Sequence, residues 1–315
     1  MKQALLMVNM GGPRDLSEVP GYLRAIFNDP AILPLPGFLR KPLASYIISK
    51  RKEKVADRYK LIGGSSPLLE WTKKLADLVR SAVNKSGKKL DVSFAFRYTS
   101  PTIEEALNNL ADQNIEKIIL LPLFPHRTGA MSGSIEKEAS RVAGKLNLKL
   151  KNVPAWGNNE RFLAILEDYL KESLSEKREY AHVLFVAHGI PARNVRNGDD
   201  YPDQVNHTAK SLGNSIPENI GWSLAYQSRV GPLKWIGPSL DSEIDRISAT
   251  GVDLHLMPLS FVADCLETLY DLDIIASEQA KNKGAKSVNR IRVFNDDPEF
   301  AEALTEMVLE EYYNE

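Results

Sequence analysis

Short, wholly apolar runs alternate along the chain with longer stretches whose apolar residues recur at three- and four-residue spacing, the two periods expected of buried strands and amphipathic helices. The strand-like runs fall near residues 4–9, 91–96, 117–122, 148–153, 182–187, 221–226, 253–257 and 289–294. Between them, apolar spacing and capping residues predict helices at about 17–27, 68–84, 101–113, 134–146, 158–175, 202–213, 239–250, 263–282 and 297–313. Such alternation predicts an α/β protein with parallel, doubly wound sheets flanked by helices.

The pattern also repeats itself. LLMVNMGGP at 5–13 and VLFVAHGIP at 183–191 are each an apolar strand entering a glycine turn stopped by proline, with Met10 in the first copy where His188 stands in the second. VSFAFRY (92–98) is echoed by WSLAYQS (222–228), and IILLPLF (118–124) by LHLMPLSF (254–261). Three segments recurring in the same order predict two similar lobes, each with a four-stranded parallel sheet, facing each other across a cleft with ligand chemistry at the strand ends. The charged segment KESLSEKREY (171–180) is taken as the join. That gives a first lobe over 1–170 and a second over 171–315, the last helix folding back onto the first.

Residues 30–49, PAILPLPGFLRKPLASYIIS, have no counterpart after His188. Four prolines interrupt them, which argues against a long helix. Two readings stay open: a loop packed over the first lobe, or an exposed apolar lip that touches a membrane surface or covers the cleft, anchored by Lys50, Arg51 and Lys52.

Composition narrows the class. The 315 residues suffice for two cores, and a formal net charge of -1 gives no reason to expect nucleic acid as a partner. Cys265 is the single cysteine, so no internal disulfide, cysteine zinc site or iron–sulfur cluster is expected, and a reducing cytoplasm is the default. The apolar run Leu5–Val8 is too short for a signal peptide, and no stretch reaches the ~20 residues of a membrane span.

The segment PLSFVADCLETLYDLD (258–273) carries the strongest chemical signal. If a helix begins near Asp264, then Asp264, Glu267 and Asp271 fall at i, i+3 and i+7 and share one face. Such a stripe is either a solvated face with Asp264 as N-cap or a set of carboxylates at the cleft; its position after a strand favours the second. His188 is either a hydrogen-bonded core histidine or a functional imidazole, and Met10 at the matching position shows that packing does not demand a ring there. His182 and His255 lie within strands, His207 lies on a polar helix, and only His126 also sits at a strand end.

Taken together, VNMGGP (8–13), YKLIGGSSPL (59–68), FRYTSP (96–101), LPLFP with a following GS (121–134), AHGIP (187–191), QSRVGPLKWIGP (227–238) and SFVADCLETLYDLD (260–273) resemble the ferrochelatases, in order and over nearly the whole chain. The resemblance implies a two-lobed chelatase fold and insertion of ferrous iron into a porphyrin, with porphyrin and iron as substrates and no resident cofactor. It implies that His188 and Glu267 face each other across the ring; the chemistry of removing pyrrole protons assigns His188 as base, leaves open which of the two meets iron first, and has Asp264 and Asp271 orienting the site or conducting protons and iron. It further implies porphyrin contacts by Met10, Lys50, Arg51, Ser66, Arg97, Tyr98 and Trp235, although plain solvation is an equal reading of Lys50 and Arg51.

The chain departs from the family pattern at Cys265, where a histidine is common, at Arg127 and Ser100, and in HGIP for the commoner HSLP. Cys265 reads as a buried thiol before a soft metal ligand. The apolar lip favours protoporphyrin IX, met at the inner surface of a membrane, over coproporphyrin. A chelatase for another tetrapyrrole, and a binding protein that does no chemistry, are the remaining alternatives; a mere binder has no use for the acidic stripe.

Overall fold

The computed structural model describes residues 2–175, 180–228, 231 and 233–313. The middle of the charged join (176–179), and Arg229, Val230 and Pro232 of the QSRVGP motif, lie outside the described residues.

Two parallel four-stranded sheets form, and their topology is the same. In the first, β1 (Gln3–Asn9), β2 (Leu90–Phe96), β3 (Lys117–Pro122) and β4 (Lys149–Asn152) lie in the order β2-β1-β3-β4. In the second, β5 (Ala181–His188), β6 (Gly221–Gln227), β7 (Asp253–Pro258) and β8 (Ser287–Arg290) lie in the order β6-β5-β7-β8. Helices α1 (Val19–Phe27), α2 (Gly37–Leu61), α3 (Leu68–Lys85), α4 (Ile103–Asp112) and α5 (Ser132–Lys145) belong to the first sheet's part of the chain. Helices α6 (Glu160–Leu174), α7 (Ala192–Arg196), α8 (Tyr201–Gly213) and α9 (Leu240–Ser248), a π-helix (Glu267–Ala276) and α10 (Ser277–Asn282) belong to the second. The chain's last described element is α11 (Pro298–Tyr313).

Register makes the sequence echo literal. Val8 lies opposite Pro122 in the first sheet and Val186 opposite Pro258 in the second. Leu123 N–H donates to Val8 C=O at 2.8 Å, and Leu259 N–H donates to Val186 C=O at 2.8 Å. Two residues on from each valine stand Met10 and His188, equivalent positions at the carboxyl ends of the two central strands. The middles of both strands, Ala4–Val8 and Val183–Ala187, are apolar and buried, as expected where helices cover both sheet faces.

The chain divides into two compact units, residues 1–123, 128–154 and 295–315 against 124–127 and 155–294. The division therefore falls near 154 and not at 170/171. The reason is α6: its buried Phe162 and Tyr169 pack on Phe294, with ring centroids 5.4 and 5.5 Å apart, and its Ser173 hydroxyl meets His255 Nδ1 of β7 at 2.7 Å. Helix α11 packs on α3 and β3 of the first unit.

Three local expectations are corrected. Residues 37–61 form one helix in spite of Pro42, because Pro30, Pro34 and Pro36 all precede it and Pro42 sits in its second turn, forfeiting only the bond to the Phe38 carbonyl. Its buried stripe is Ala44, Ile48, Val55 and Tyr59. The last strand spans Ser287–Arg290, not 289–294; Ile291, Val293 and Phe294 are apolar because they pack into the second unit after leaving the sheet. The acidic helix begins at Leu266 rather than near Asp264 and winds at once into the π form. No helix among the described residues is long and apolar enough to cross a membrane.

Candidate functional site

The carboxyl end of the second sheet builds one group of side chains around His188. His188 is the last paired residue of β5, opposite Gln227 of β6. Its Nδ1 lies 2.6 Å from the Gly189 carbonyl oxygen. A carbonyl can only accept, so Nδ1 carries a proton, and Nε2 is the ring nitrogen left for other chemistry. Behind the ring, the Tyr201 hydroxyl donates to the His188 carbonyl at 2.9 Å, and Ser260 Oγ, 2.7 Å from the same hydroxyl, supplies the proton in that contact. Burial holds the Tyr201 phenol above its ordinary range, so it stays a donor. The Phe261 ring meets the imidazole edge-on at 6.5 Å between centroids.

The turn after His188 needs a bare glycine. A Cβ on Gly189 would lie 2.8 Å from the Gln227 carbonyl oxygen and 3.3 Å from the Trp235 ring. Gly189 N–H instead donates to that carbonyl at 2.9 Å, and residues 190–192 pair with Lys234 and Ile236 on either side of Trp235. Trp235 is thereby held against the His188 turn.

The acidic segment follows β7. Thr268, Leu272, Ala276 and Ala280, four apart, are buried; Leu272, Ala276 and Ala280 join Leu184, Val186, Leu254 and Leu256 in the core. Glu267 and Asp271, also four apart and half-buried, therefore run together along the stripe next to it. Asp264 does not join them. It precedes the helix, accepts from Thr268 Oγ1 at 2.9 Å, and pairs with Arg290 Nη2 at 3.1 Å. No group of three or more His, Cys, Asp or Glu side chains among the described residues forms a metal cage. The set His188, Glu267, Asp264 and Asp271 is thus not brought together as one polydentate site, because a cation already occupies Asp264. Burial, and then the nearby Glu267 charge, push the Cys265 thiol well up, which favours the protonated, buried thiol.

The first unit gathers a different chemistry at the equivalent sheet end. Asn9 C=O accepts from Arg97 N–H and Met10 C=O from Tyr98 N–H, at 2.9 and 3.1 Å, which fixes Met10 beside FRYTSP. Gly11, at φ +88°, passes so close to Thr99 that a Cβ would lie 2.2 Å from its hydroxyl. Ser66 is brought in by its own N–H, which donates to the Pro13 carbonyl at 2.8 Å, and by Gly12, whose Cβ would fall 2.4 Å from the serine side chain. Met10, Ser66, Arg97 and Tyr98 are therefore neighbours.

Arg97 and Tyr98 are nevertheless engaged within the protein. Arg97 Nη2 pairs with Asp29 Oδ2 at 2.9 Å, Tyr98 donates its hydroxyl to the same carboxylate at 2.9 Å, and Ser134 Oγ bonds both Asp29 and Arg97. Asp29 is only 5% exposed. Burial first, and then that carboxylate, hold the Tyr98 phenol protonated far above its ordinary range. Arg51 is half-buried with its guanidinium 5.7 Å over the Phe27 ring, and burial followed by Arg58 lowers its pKa; Lys50 is exposed. Asp29, Tyr201 and Arg290 are not marked by any motif, and Ser260, though it opens SFVADCLETLYDLD, is not singled out there, since each matters only through a partner distant in the chain.

His126, the other strand-end histidine, is fully buried, with Nε2 2.9 Å from Thr208 Oγ1, and burial lowers its pKa from 6.5 to about 3. The folded state refuses a proton that the unfolded chain accepts, so stability should fall as pH drops below about 6.5 and level off near 3. The slope should approach about 1.4 kcal/mol per pH unit in that window, and His126→Gln should flatten it. Urea midpoints against pH check this.

The ferrochelatase family model matches residues 2–312. The ferrochelatase of Pelagibacter ubique is 35% identical over 317 residues, spanning 98% of this chain and 91% of that protein. That of Sulfurihydrogenibium sp. is 34% identical over 98% of both chains. Among solved structures, SirB from Bacillus subtilis with Fe3+ superposes with a TM-score of 0.61 at 15% identity, covering 100% and 97% of the two chains. The sirohydrochlorin chelatase SirB from Bacillus subtilis subspecies spizizenii gives a TM-score of 0.57 at 14% identity, covering 98% and 95%. The structural likeness extends to the fold of two four-stranded parallel sheets.

Proposed function

Because the chain belongs to the ferrochelatase family, it is a metal chelatase that inserts ferrous iron into a porphyrin, and we propose that this porphyrin is protoporphyrin IX, with His188 as the base. The observation that carries the base assignment is the 2.6 Å contact from His188 Nδ1 to the Gly189 carbonyl. A free-base porphyrin must lose two pyrrole protons before its four nitrogens can hold a metal. An imidazole whose Nδ1 proton is spent on a carbonyl takes such a proton at Nε2, and the Tyr201 and Ser260 bonds keep the strand end from shifting as it does. Glu267 is the second acid–base group, and Asp271, on the same helical stripe, passes protons or iron along it. Met10, Ser66 and Trp235 are the ring contacts. The iron is a substrate, and the reaction requires no resident cofactor.

Helix α2 supports the choice of the less charged porphyrin. Phe38 is 76% and Tyr46 62% exposed, with Leu39 and Leu43 also outside, and Lys50, Lys52 and Lys54 follow them. An apolar face beside a run of cations is suited to the inner surface of a membrane carrying anionic lipid, where a poorly soluble porphyrin is found. The test compares insertion rates for protoporphyrin IX and coproporphyrin with and without anionic vesicles. Vesicles should raise the protoporphyrin rate in the wild type and not in Phe38→Ser/Leu39→Ser. A strong preference for coproporphyrin in free solution would sink the substrate assignment.

A further inference from the structure

Arg290 is the last residue of β8, opposite Leu256 of β7 and through it level with Leu184 of β5, four residues before His188. Its side chain is 14% exposed. Nε and Nη2 form a fork on Asp273, at 2.5 and 3.0 Å, and Nη2 also reaches Asp264 at 3.1 Å. The third nitrogen, Nη1, is buried without a partner. A guanidinium buried this far is tolerated because two carboxylates answer it, so the contact is unlike the exposed ion pairs elsewhere on the surface.

The two carboxylates lie on either side of Glu267 in sequence. Asp264 stands in the turn before the helix, and Asp273 stands in the π-helix itself. Asp264 also receives the Thr268 hydroxyl at 2.9 Å, while that hydroxyl oxygen accepts the Cys265 N–H at 3.0 Å. The turn before the π-helix and the second turn of that helix are thus tied together by one cation anchored on the sheet. Wide i→i+5 winding is rare, and a tie of this kind supplies a reason for its persistence here.

We propose that Arg290 is a positioning residue for iron insertion: by joining Asp264 to Asp273 it sets the direction in which Glu267 and Asp271 present their carboxylates. It touches neither substrate. The inference rests on the role given to Glu267 above. It also changes what Asp264 does: that carboxylate is a strut for the helix rather than a step on an iron path.

The test is single-turnover insertion under anaerobic conditions, with ferrous iron and protoporphyrin IX, in Arg290→Met, Arg290→Lys, Asp273→Asn, the Arg290→Met/Asp273→Asn pair and Glu267→Gln. Arg290→Met should lower the insertion rate roughly 10- to 100-fold with porphyrin affinity within about threefold of wild type. Arg290→Lys should recover part of the rate, and the double variant should be no slower than the worse single one, since both break the same tie. A folded Arg290→Met protein with a rate within twofold of wild type overturns the proposal, as does a change confined to porphyrin affinity. If Arg290→Met does not fold, Asp273→Asn and Arg290→Lys decide by the same rate criterion. Full turnover in Glu267→Gln removes the Glu267 role and the clamp together; loss there with retention in Arg290→Met removes the clamp alone.

Discussion

Replacing His188 by alanine is expected to slow insertion by about 10²- to 10⁴-fold, the range typical of a positioned general base, while porphyrin binding stays measurable. The expectation follows from how little else the imidazole does. Its Nδ1 proton is spent on the next residue's carbonyl, and its ring meets only the edge of Phe261 among the described aromatic contacts. The strand end is held through the His188 backbone, by Tyr201, and that bond survives truncation of the side chain. Packing at Met10, the equivalent position in the first sheet, is achieved without an imidazole. His188→Ala should therefore fold normally, quench or shift porphyrin fluorescence on binding, and fail to metallate the ring. If the variant metallates at a near-normal rate, His188 is not the base, and Glu267 alone has to account for proton removal.

Arg97→Met should lower the stability of the first unit by about 3–5 kcal/mol, the usual result of removing one partner from a buried ion pair. Asp29 is 5% exposed and accepts from Arg97, Tyr98, Ser134 and the Ala31 N–H at once; without the guanidinium, its charge is left with neutral donors only, two hydroxyls and one backbone amide, in a buried site. Asp29→Asn alone should also destabilise, and the double variant should cost less than the two single ones added together. Urea unfolding, with hydrogen exchange of the β1 and β2 amides to report on this unit, reads both effects. The family resemblance gives Arg97 a place at the porphyrin, and the two roles separate cleanly. An arginine kept for the ring's carboxylates would raise KM for porphyrin on replacement and leave the urea midpoint unchanged. The bond set around Asp29 leads us to expect the reverse.

Much of this architecture could be read directly. Apolar runs bounded by glycine and proline are specified locally, so β1, β3, β5 and β7 fall where the pattern puts them, and the echo of MGGP in HGIP identifies Met10 and His188 as equivalent before any coordinates. The prolines of residues 30–49 misled, because a proline count ignores where in a helix each one falls; only Pro42 lies inside α2, early enough to lose a single bond. The apolar residues 291–294 read as strand because burial alone does not distinguish a sheet from a packed connection.

The acidic segment shows where sequence stops. Spacing on an ideal α-helix unites Asp264, Glu267 and Asp271, yet the chain winds as a π-helix from Glu267 and leaves Asp264 outside it, paired with a residue 26 positions away. By itself the sequence determined the α/β class, the doubled sheet, the family, and the strand end that carries His188, since all of these depend on local period and on motifs read in order. Only the tertiary structure decided which polar groups are already answered. Asp264 meets Arg290, Arg97 meets Asp29, and His188 Nδ1 meets the Gly189 carbonyl. A side chain's charge and proton depend on what burial places within about 3 Å of it, and for Asp264 and Arg97 that partner is distant in the chain.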